Sequence, residues 1–244
     1  MVNGVPGCGG LLTGPAGSLS SPNHPDTYEH NLDCEWVIRA TPNERVRLTF
    51  AAMSLERSSN CRFDYIEVRE GGSPQSPLIG RYCGRNLPLP VTSLGNQLFV
   101  RFRSDFSVAS SGFRARYQTL CGGTWTSPSG MIQSPNYPSP YPASKQCVYI
   151  IALPPGKAIR MDFLAFDIEG SAIGGGNCIY DFIEVRDGDS VNSTLIGRFC
   201  GPPDRIPPPI ISTHNYLWIK FQTDASVHNQ GFIANYSSVD VGII

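Results

Sequence analysis

The chain has 244 residues, with 19 basic and 20 acidic side chains and a formal net charge of −1. That length accommodates one large domain or two of about 120 residues. A near-neutral charge argues against nucleic acid as a partner, and a 41% hydrophobic content argues against disorder. No uninterrupted apolar run approaches the ~20 residues of a transmembrane helix, so we expect no membrane span.

Residues 1–7 have neither the charged start nor the apolar stretch of a signal peptide. We interpret them as a tag or linker, with Met1 as an added start. The chain is then expected to be a piece of a longer extracellular protein.

From residue 8 onward, short segments alternate apolar and polar side chains, which predicts half-buried β-strands. These segments are centred on Trp36, Leu48, Ile66, Val100 and Ala115, and then on Tyr149, Met161, Ile183, Ile219 and Ala234. No segment sustains the 3.6-residue period of an amphipathic helix. The 25 glycines and 21 prolines suit many turns. The sequence therefore predicts an all-β protein built as antiparallel sandwiches.

The second half of the chain repeats the first. Ser21–Pro25 reappears as Ser134–Pro138, and Cys61–Arg69 reappears as Cys178–Arg186. The first two cysteines of each half are offset by 113 residues and the last two by 117, so four extra residues fall in the glycine-rich stretch 170–177. This pattern indicates a duplicated domain. We place the two copies at residues 8–118 and 121–237, with residues 238–244 as a C-terminal linker.

The eight cysteines are evenly divided between the halves and none forms a Cys-x-x-Cys motif, which favours disulfides and an oxidising compartment. Spacing alone allows three pairings in each half, and we expect the adjacent one. It joins Cys8 to Cys34, Cys61 to Cys83, Cys121 to Cys147 and Cys178 to Cys200. Sequons at Asn192 and Asn235 are predicted glycosylation sites and agree with an extracellular location.

These motifs resemble the CUB domain family over nearly the whole chain. The matching features are four cysteines per copy, the Ser-Pro-Asn-x-Pro motif, the Cys-x-x-Asp-Tyr/Phe-Ile-Glu-Val-Arg motif and the Gly-Arg-Tyr/Phe-Cys-Gly segment. The resemblance implies a jelly-roll-like sandwich with two disulfides per domain and, in a calcium-binding subset, a cation site at one end. Two such domains placed back to back are most similar to an endocytic receptor of the family.

Three acidic positions of the family's calcium site are present in both copies. They are Glu56, Asp64 and Asp105 in the first copy and Glu169, Asp181 and Asp224 in the second. Calcium prefers several oxygen ligands, carboxylates above all. The resemblance implies backbone oxygens at Ser107, Val108, Ser226 and Val227 as further ligands, and Tyr28 and Tyr141 as tyrosines that steady the glutamate. Taken singly, each acid is more simply a turn or cap residue.

Three carboxylates around one Ca²⁺ leave about one negative charge, which attracts a lysine or arginine of a partner. Carried over from the family, Asp64, Asp105, Asp181 and Asp224 contact both the metal and that basic side chain. The expected function is therefore a non-catalytic extracellular module, part of an endocytic receptor, that binds protein ligands with exposed Lys or Arg.

Three other functions stay open on the sequence: a regulatory CUB pair of a complement-type or tolloid-type protease, a rigid spacer, and a carbohydrate-binding module. The histidines lack metal-ligand spacing and no Gly-x-Ser-x-Gly elbow occurs, so we do not expect an enzyme. Arg101, Arg103, Arg114 and Arg116 fall on alternating positions of two predicted strands. They indicate a solvated sheet face or, alternatively, a patch for an anionic partner.

Overall fold

The computed structural model describes residues 6–170 and 178–240. The chain divides into two compact units, Met1–Leu120 and Cys121–Ile244. Most of the predicted N-terminal linker, the glycine-rich insertion at 171–177 and the last four residues lie outside the described residues.

Among its described residues, the first unit contains nine strands and one short 3₁₀ turn at Ser59–Cys61. The strands are β1 Gly10–Leu12, β2 Ala16–Ser20, β3 Asp33–Arg39, β4 Glu44–Ser54, β5 Tyr65–Glu70, β6 Leu78–Tyr82, β7 Val91–Thr92, β8 Gln97–Arg103 and β9 Gly112–Trp125. One sheet has the order β1-β3-β8-β5-β6, and the other has the order β2-β9-β4-β7. The two sheets enclose one hydrophobic core, as expected for a sandwich.

The second unit repeats this arrangement. Its strands are β10 Ser129–Gln133, β11 Gln146–Ala152, β12 Lys157–Asp167, β13 Phe182–Asp187, β14 Thr194–Phe199, β15 Ile210–Ile211, β16 Tyr216–Gln222 and β17 Gly231–Asp240. Residues 122–125, the end of β9, pair with β11 and extend the sheet β11-β16-β13-β14. The other sheet has the order β10-β17-β12-β15. The all-β prediction, with sandwich sheets, is confirmed, and the described residues contain no α-helix.

Each unit also contains one parallel strand pair, which the sequence did not predict. β1 runs parallel to β3, and the end of β9 runs parallel to β11. A disulfide joins the beginnings of the two strands in each pair, Cys8–Cys34 and Cys121–Cys147. The residue after the first cysteine is a glycine, and a Cβ on Gly122 would lie 2.0 Å from the Val148 carbonyl oxygen. The Cys-Gly dipeptide therefore allows the close backbone approach that the parallel pairing requires.

All eight cysteines form the adjacent disulfides that we expected, so this prediction is confirmed. Closing a loop of about 27 residues stabilises a domain by roughly 3–4 kcal/mol in the chain-entropy model. The disulfides thus supplement two small cores.

The predicted alternation is correct on the inner face of each sheet and incomplete on the outer face. Tyr65 and Glu67 alternate with the inward-facing Ile66 and Val68 of β5, yet they are only 6% and 2% exposed. The Arg81 guanidinium covers the Tyr65 ring at 4.3 Å and also forms an ion pair with Glu67. Arg198 does the same over Phe182 and Glu184 in the second unit. Arginine stems cover this outer face, so alternation alone underestimates its burial.

β17 extends three residues beyond the predicted domain end, to Asp240. Its last residues pair with β12, and Lys157 forms an ion pair with Asp240. None of the helical segments among the described residues is long and apolar enough to cross a membrane.

Candidate metal centre

In the first unit, three acidic side chains meet where three strands begin or end. Glu56 follows β4 by two residues, Asp64 directly precedes β5, and Asp105 follows β8 by two residues. One carboxylate oxygen from each lies within 4.8 Å of the others. Residues separated by up to 49 positions in the chain therefore converge on one small volume.

Asp64 is the fixed member of this cluster. It is fully buried, and its two carboxylate oxygens accept different hydrogen bonds. The Tyr28 hydroxyl donates to Oδ2 at 2.5 Å, and the Asp105 backbone N–H donates to Oδ1 at 2.8 Å. The Asp105 carboxylate in turn accepts from the Ser107 backbone N–H at 2.8 Å. Both aspartates are thus oriented by neutral donors, which leave the negative charge of the cluster in place.

The second unit has the same cluster. Oxygens of Glu169, Asp181 and Asp224 lie within 4.8 Å of one another. The Tyr141 hydroxyl and the Asp224 backbone N–H each donate to Asp181 at 2.7 Å. The Ser226 backbone N–H donates to Asp224 at 2.7 Å. The two copies thus share their acids and also the hydrogen bonds that orient them.

The electrostatics of both clusters favour bound positive charge. Burial, followed by the charges of Asp105 and Asp64, raises the pKa of Glu56. Burial raises the pKa of Asp64, against the opposing hydrogen bond from Tyr28. Glu169 and Asp181 are perturbed in the same direction in the second unit. A divalent cation would relieve both the repulsion and the desolvation.

The donor set fits calcium. In each unit one glutamate oxygen, Oε2 of Glu56 or Glu169, is buried and has no hydrogen-bond partner. A buried carboxylate oxygen without a partner is costly unless a cation binds it. All the clustered side-chain ligands are carboxylates, the hard oxygen donors that Ca²⁺ prefers. These acidic clusters could therefore bind a metal ion.

The loop after each aspartate has strained backbone, which the sequence does not predict. Val108 and Val227 have φ angles of 45° and 50°, in the left-handed region. A β-branched residue rarely adopts this conformation, and the strain costs about 1–3 kcal/mol. Both valines are more than half exposed. The backbone oxygens of Ser107, Val108, Ser226 and Val227 stay predicted ligands, held in a loop whose conformation is the same in both copies.

The two tyrosines contact more than the glutamate that we predicted them to steady. The hydroxyls of Tyr28 and Tyr141 each donate to an aspartate. Tyr141 touches Glu169 only through the backbone, whose N–H donates to the hydroxyl at 3.1 Å. Both rings are at most 2% exposed. Burial excludes direct contact with a partner, so the tyrosines position the carboxylate.

A groove beside the first cluster was also missed. It has a volume of about 680 Å³ and is lined by Glu56, Arg57, Arg85 and Val108, among others. The Arg57 stem packs beside Gly84, another lining residue, because a Cβ built on that glycine would lie 3.7 Å from Arg57 Cγ. The second copy has Pro202 where the first has Arg85. A lone arginine in a loop gave no sequence signal for this groove.

The predicted glycosylation sites are accessible. Asn192 lies in the exposed turn between β13 and β14, and Asn235 points outward from β17. Glycan occupancy at either site stays a prediction.

A duplicated, disulfide-bonded β-sandwich with an acidic cluster at matching loops is typical of an extracellular calcium-binding module. The sequence matches the CUB domain family at residues 8–117 and at residues 121–236. The chain belongs to this family and consists of two CUB domains.

Two curated proteins match the chain over both domains, and one solved structure matches about half of it. Human tolloid-like protein 1 is 44% identical over 231 residues, which are 95% of this chain and 22% of that protein. Cubilin from Sus scrofa is 39% identical over 237 residues, which are 95% of this chain and 6% of that protein. The structure of the MASP-1 CUB2 domain bound to Ca²⁺ is 36% identical over 48% of this chain and 99% of that chain, with a TM-score of 0.43. The chain thus spans less than a quarter of the two curated relatives.

Proposed function

We propose that each CUB domain binds one Ca²⁺ at its acidic cluster, and that the filled site captures a lysine or arginine side chain of a protein partner. The proposal rests on one observation that is made in both domains. Three carboxylates converge, and one oxygen of the glutamate among them is buried and has no hydrogen-bond partner. The proposed side-chain ligands are Glu56, Asp64 and Asp105 in the first domain and Glu169, Asp181 and Asp224 in the second.

Charge supports the second step of the proposal. Three carboxylates and one Ca²⁺ leave about one net negative charge at each site. Asp64 and Asp181 are fully buried, whereas Asp105 and Asp224 are partly exposed. Those two aspartates are therefore the ones that can reach both the ion and an incoming cation. A charge-assisted bond of this kind is weak when exposed, and two sites in one chain raise the avidity.

Immobilised decalysine tests the proposal, with fully acetylated decalysine as the matched control. We expect the chain to bind decalysine at 2 mM Ca²⁺ and to lose that binding in EDTA. Asp105→Asn and Asp224→Asn should each weaken it, and the double variant should abolish it. Equal binding to the acetylated peptide, or binding that persists in EDTA, would contradict capture of a basic side chain.

The relation between calcium and partner binding is tested separately. If the variants lose calcium binding but decalysine binding is unchanged, the ion is structural and the capture step is wrong. If wild-type protein binds calcium and decalysine independently, the two sites are distinct and the proposal fails.

We also propose that the chain is extracellular and does no catalysis itself. Four disulfides and no free cysteine support an oxidising compartment. Both domains match the CUB domain, a non-catalytic module. Incubation with casein and a mixed peptide library, followed by mass spectrometry, should show no cleavage above buffer.

The parent protein is proposed to be an endocytic receptor, because two CUB domains follow one another directly, as residues 8–117 and 121–236. A protease of the tolloid type is the second candidate, supported by 44% identity to human tolloid-like protein 1. The flanking sequence separates the two proposals: further CUB domains support the receptor, and a catalytic domain supports the protease.

A further inference from the structure

The structure divides the four arginines that the sequence grouped into one candidate patch. Arg101 and Arg103 belong to β8 in the five-stranded sheet, and Arg101 is neutralised by Asp33 at 2.5 Å, with Glu35 3.8 Å away. Arg114 and Arg116 belong to β9 in the four-stranded sheet. Arg103 is also exposed, but it lies directly opposite Asp33 on β3, whereas Arg114 and Arg116 are exposed and form no ion pair among the described residues.

The outward face of that four-stranded sheet is basic. Arg47 on β4, next to β9, is exposed and also forms no ion pair within the part of the chain that the structure describes. Ser18 and Ser20 of β2 lie opposite Arg116 and Arg114, and Thr92 lies opposite Arg47. The outward positions of the four strands carry arginine, serine, threonine, alanine and glutamine, and none is acidic.

The second domain provides an internal comparison. The residue matching Arg47 is Arg160, which forms an ion pair with Asp162 at 2.9 Å. The residues matching Arg114 and Arg116 are Ile233 and Asn235, and Asn235 begins a sequon. Within the described part of the second domain, the corresponding positions are therefore neutral, so the three arginines without an ion pair are specific to the first domain.

The composition of the first domain is also biased towards basic residues. Residues 1–120 contain twelve arginines, no lysine and ten acidic residues, whereas residues 121–244 contain seven basic and ten acidic residues. Guanidinium groups bind tetrahedral and planar anions with two parallel hydrogen bonds, which ammonium groups do not. An all-arginine domain with one acid-free face favours a partner that carries repeated anionic groups.

We infer that the basic face formed by Arg47, Arg114 and Arg116 binds a sulfated polysaccharide. Side chains two apart on a strand are spaced by about 7 Å and neighbouring strands by about 4.8 Å, so Arg114 and Arg116 on β9 and Arg47 on β4 form a compact cationic cluster on one sheet face. Protein–protein hot spots are enriched in Trp and Tyr as well as Arg, and they cluster in well-packed pockets. This face offers exposed arginines without an aromatic neighbour, which favours a linear polyanion over an acidic protein.

Heparin is the probe, measured by surface plasmon resonance at 150 mM NaCl. The test variant is Arg47→Ser/Arg114→Ser/Arg116→Ser. The control is Arg62→Ser/Arg85→Ser/Arg103→Ser, which removes the same charge from exposed arginines of the same domain outside this sheet. Exposed charge contacts are individually weak, so we expect the test variant to lose about ten-fold or more in affinity and the control to lose about two-fold or less.

Two further arms define the ligand and separate it from the calcium sites. Heparin binding should persist in EDTA, and polyglutamate at equal charge should compete at least ten-fold less well than heparin. Equal losses in the two triple variants would overturn the inference as general charge attraction. Equal competition by polyglutamate would assign the face to an acidic protein instead. Unchanged melting temperatures of both variants establish that they are folded.

Discussion

Tyr141 provides a sharp test of how the clustered carboxylates are held. Its hydroxyl donates to the fully buried Asp181 at 2.7 Å and accepts from the Glu169 N–H at 3.1 Å. Tyr236, in the same core, has a buried hydroxyl without a partner. Both rings are at most 2% exposed, so Tyr141→Phe and Tyr236→Phe remove the same atom from equally buried sites.

The expected magnitudes differ widely. A hydrogen bond to a charged group contributes about 1.5–3 kcal/mol and one to a backbone amide about 1 kcal/mol, so Tyr141→Phe should destabilise the second domain by about 2–4 kcal/mol. At 4–8 °C per kcal/mol, its melting temperature should fall by roughly 8 °C or more. Tyr236→Phe removes only an unsatisfied hydroxyl and should be neutral or slightly stabilising.

Urea unfolding in EDTA, followed by tryptophan fluorescence, measures this difference. A Trp36→Phe background leaves only Trp125 and Trp218, both in the second domain, as reporters. If Tyr141→Phe destabilises this domain no more than Tyr236→Phe, the tyrosine does not support the cluster and the account of the site is wrong.

Three further predictions concern single side chains. Glu56→Gln removes like-charge repulsion, so thermal melts in EDTA at pH 7 should show the first domain stabilised by up to about 1 kcal/mol. In melts with calcium, the same variant should lose the stability that calcium adds to the wild-type domain. Although burial opposes it, hydrogen bonds from Arg198 and Arg186 lower the pKa of Glu184. A carboxylate with a lowered pKa stabilises the folded domain when the pH is above the pKa of the unfolded state, and this stabilisation is lost as the pH falls. In urea titrations, Glu184→Gln should therefore destabilise the second domain by about 1–2 kcal/mol at pH 7 and by much less at pH 3. An equal effect at both pH values would contradict this ion pair. Val227→Gly relieves the positive φ and should be neutral or stabilising by up to about 1 kcal/mol in EDTA, so a clear loss of stability would contradict the strain.

The sequence predicted the architecture well because its signals are local or duplicated. Alternation at Trp36 or Ile219 marks inward faces, and repeated cysteines mark the domains. The burial of Tyr65 and Glu67 could not be predicted, because it depends on Arg81 of the neighbouring strand. Long side chains cover the outer face in a way that period-2 patterns do not encode.

The candidate site was predicted less completely than the fold. Its acids follow from a matching motif, but the hydrogen bond from Tyr141 to Asp181 spans 40 residues, and the positive φ of Val227 is not marked by any glycine or asparagine. The basic face needed the sheet order, since only the structure places Arg47 beside the strand of Arg114 and separates both from Arg101. Long-range pairing therefore accounts for most of what the sequence left out.

Isothermal titration calorimetry with Ca²⁺ tests the central claim most directly, on wild-type protein, Asp105→Asn and Asp224→Asn. Dissociation constants of roughly 10⁻⁴–10⁻³ M are expected for extracellular calcium modules. The account predicts two binding events in the wild type, with one lost in each variant. The absence of binding heat at millimolar calcium, or two events retained in either variant, would contradict it.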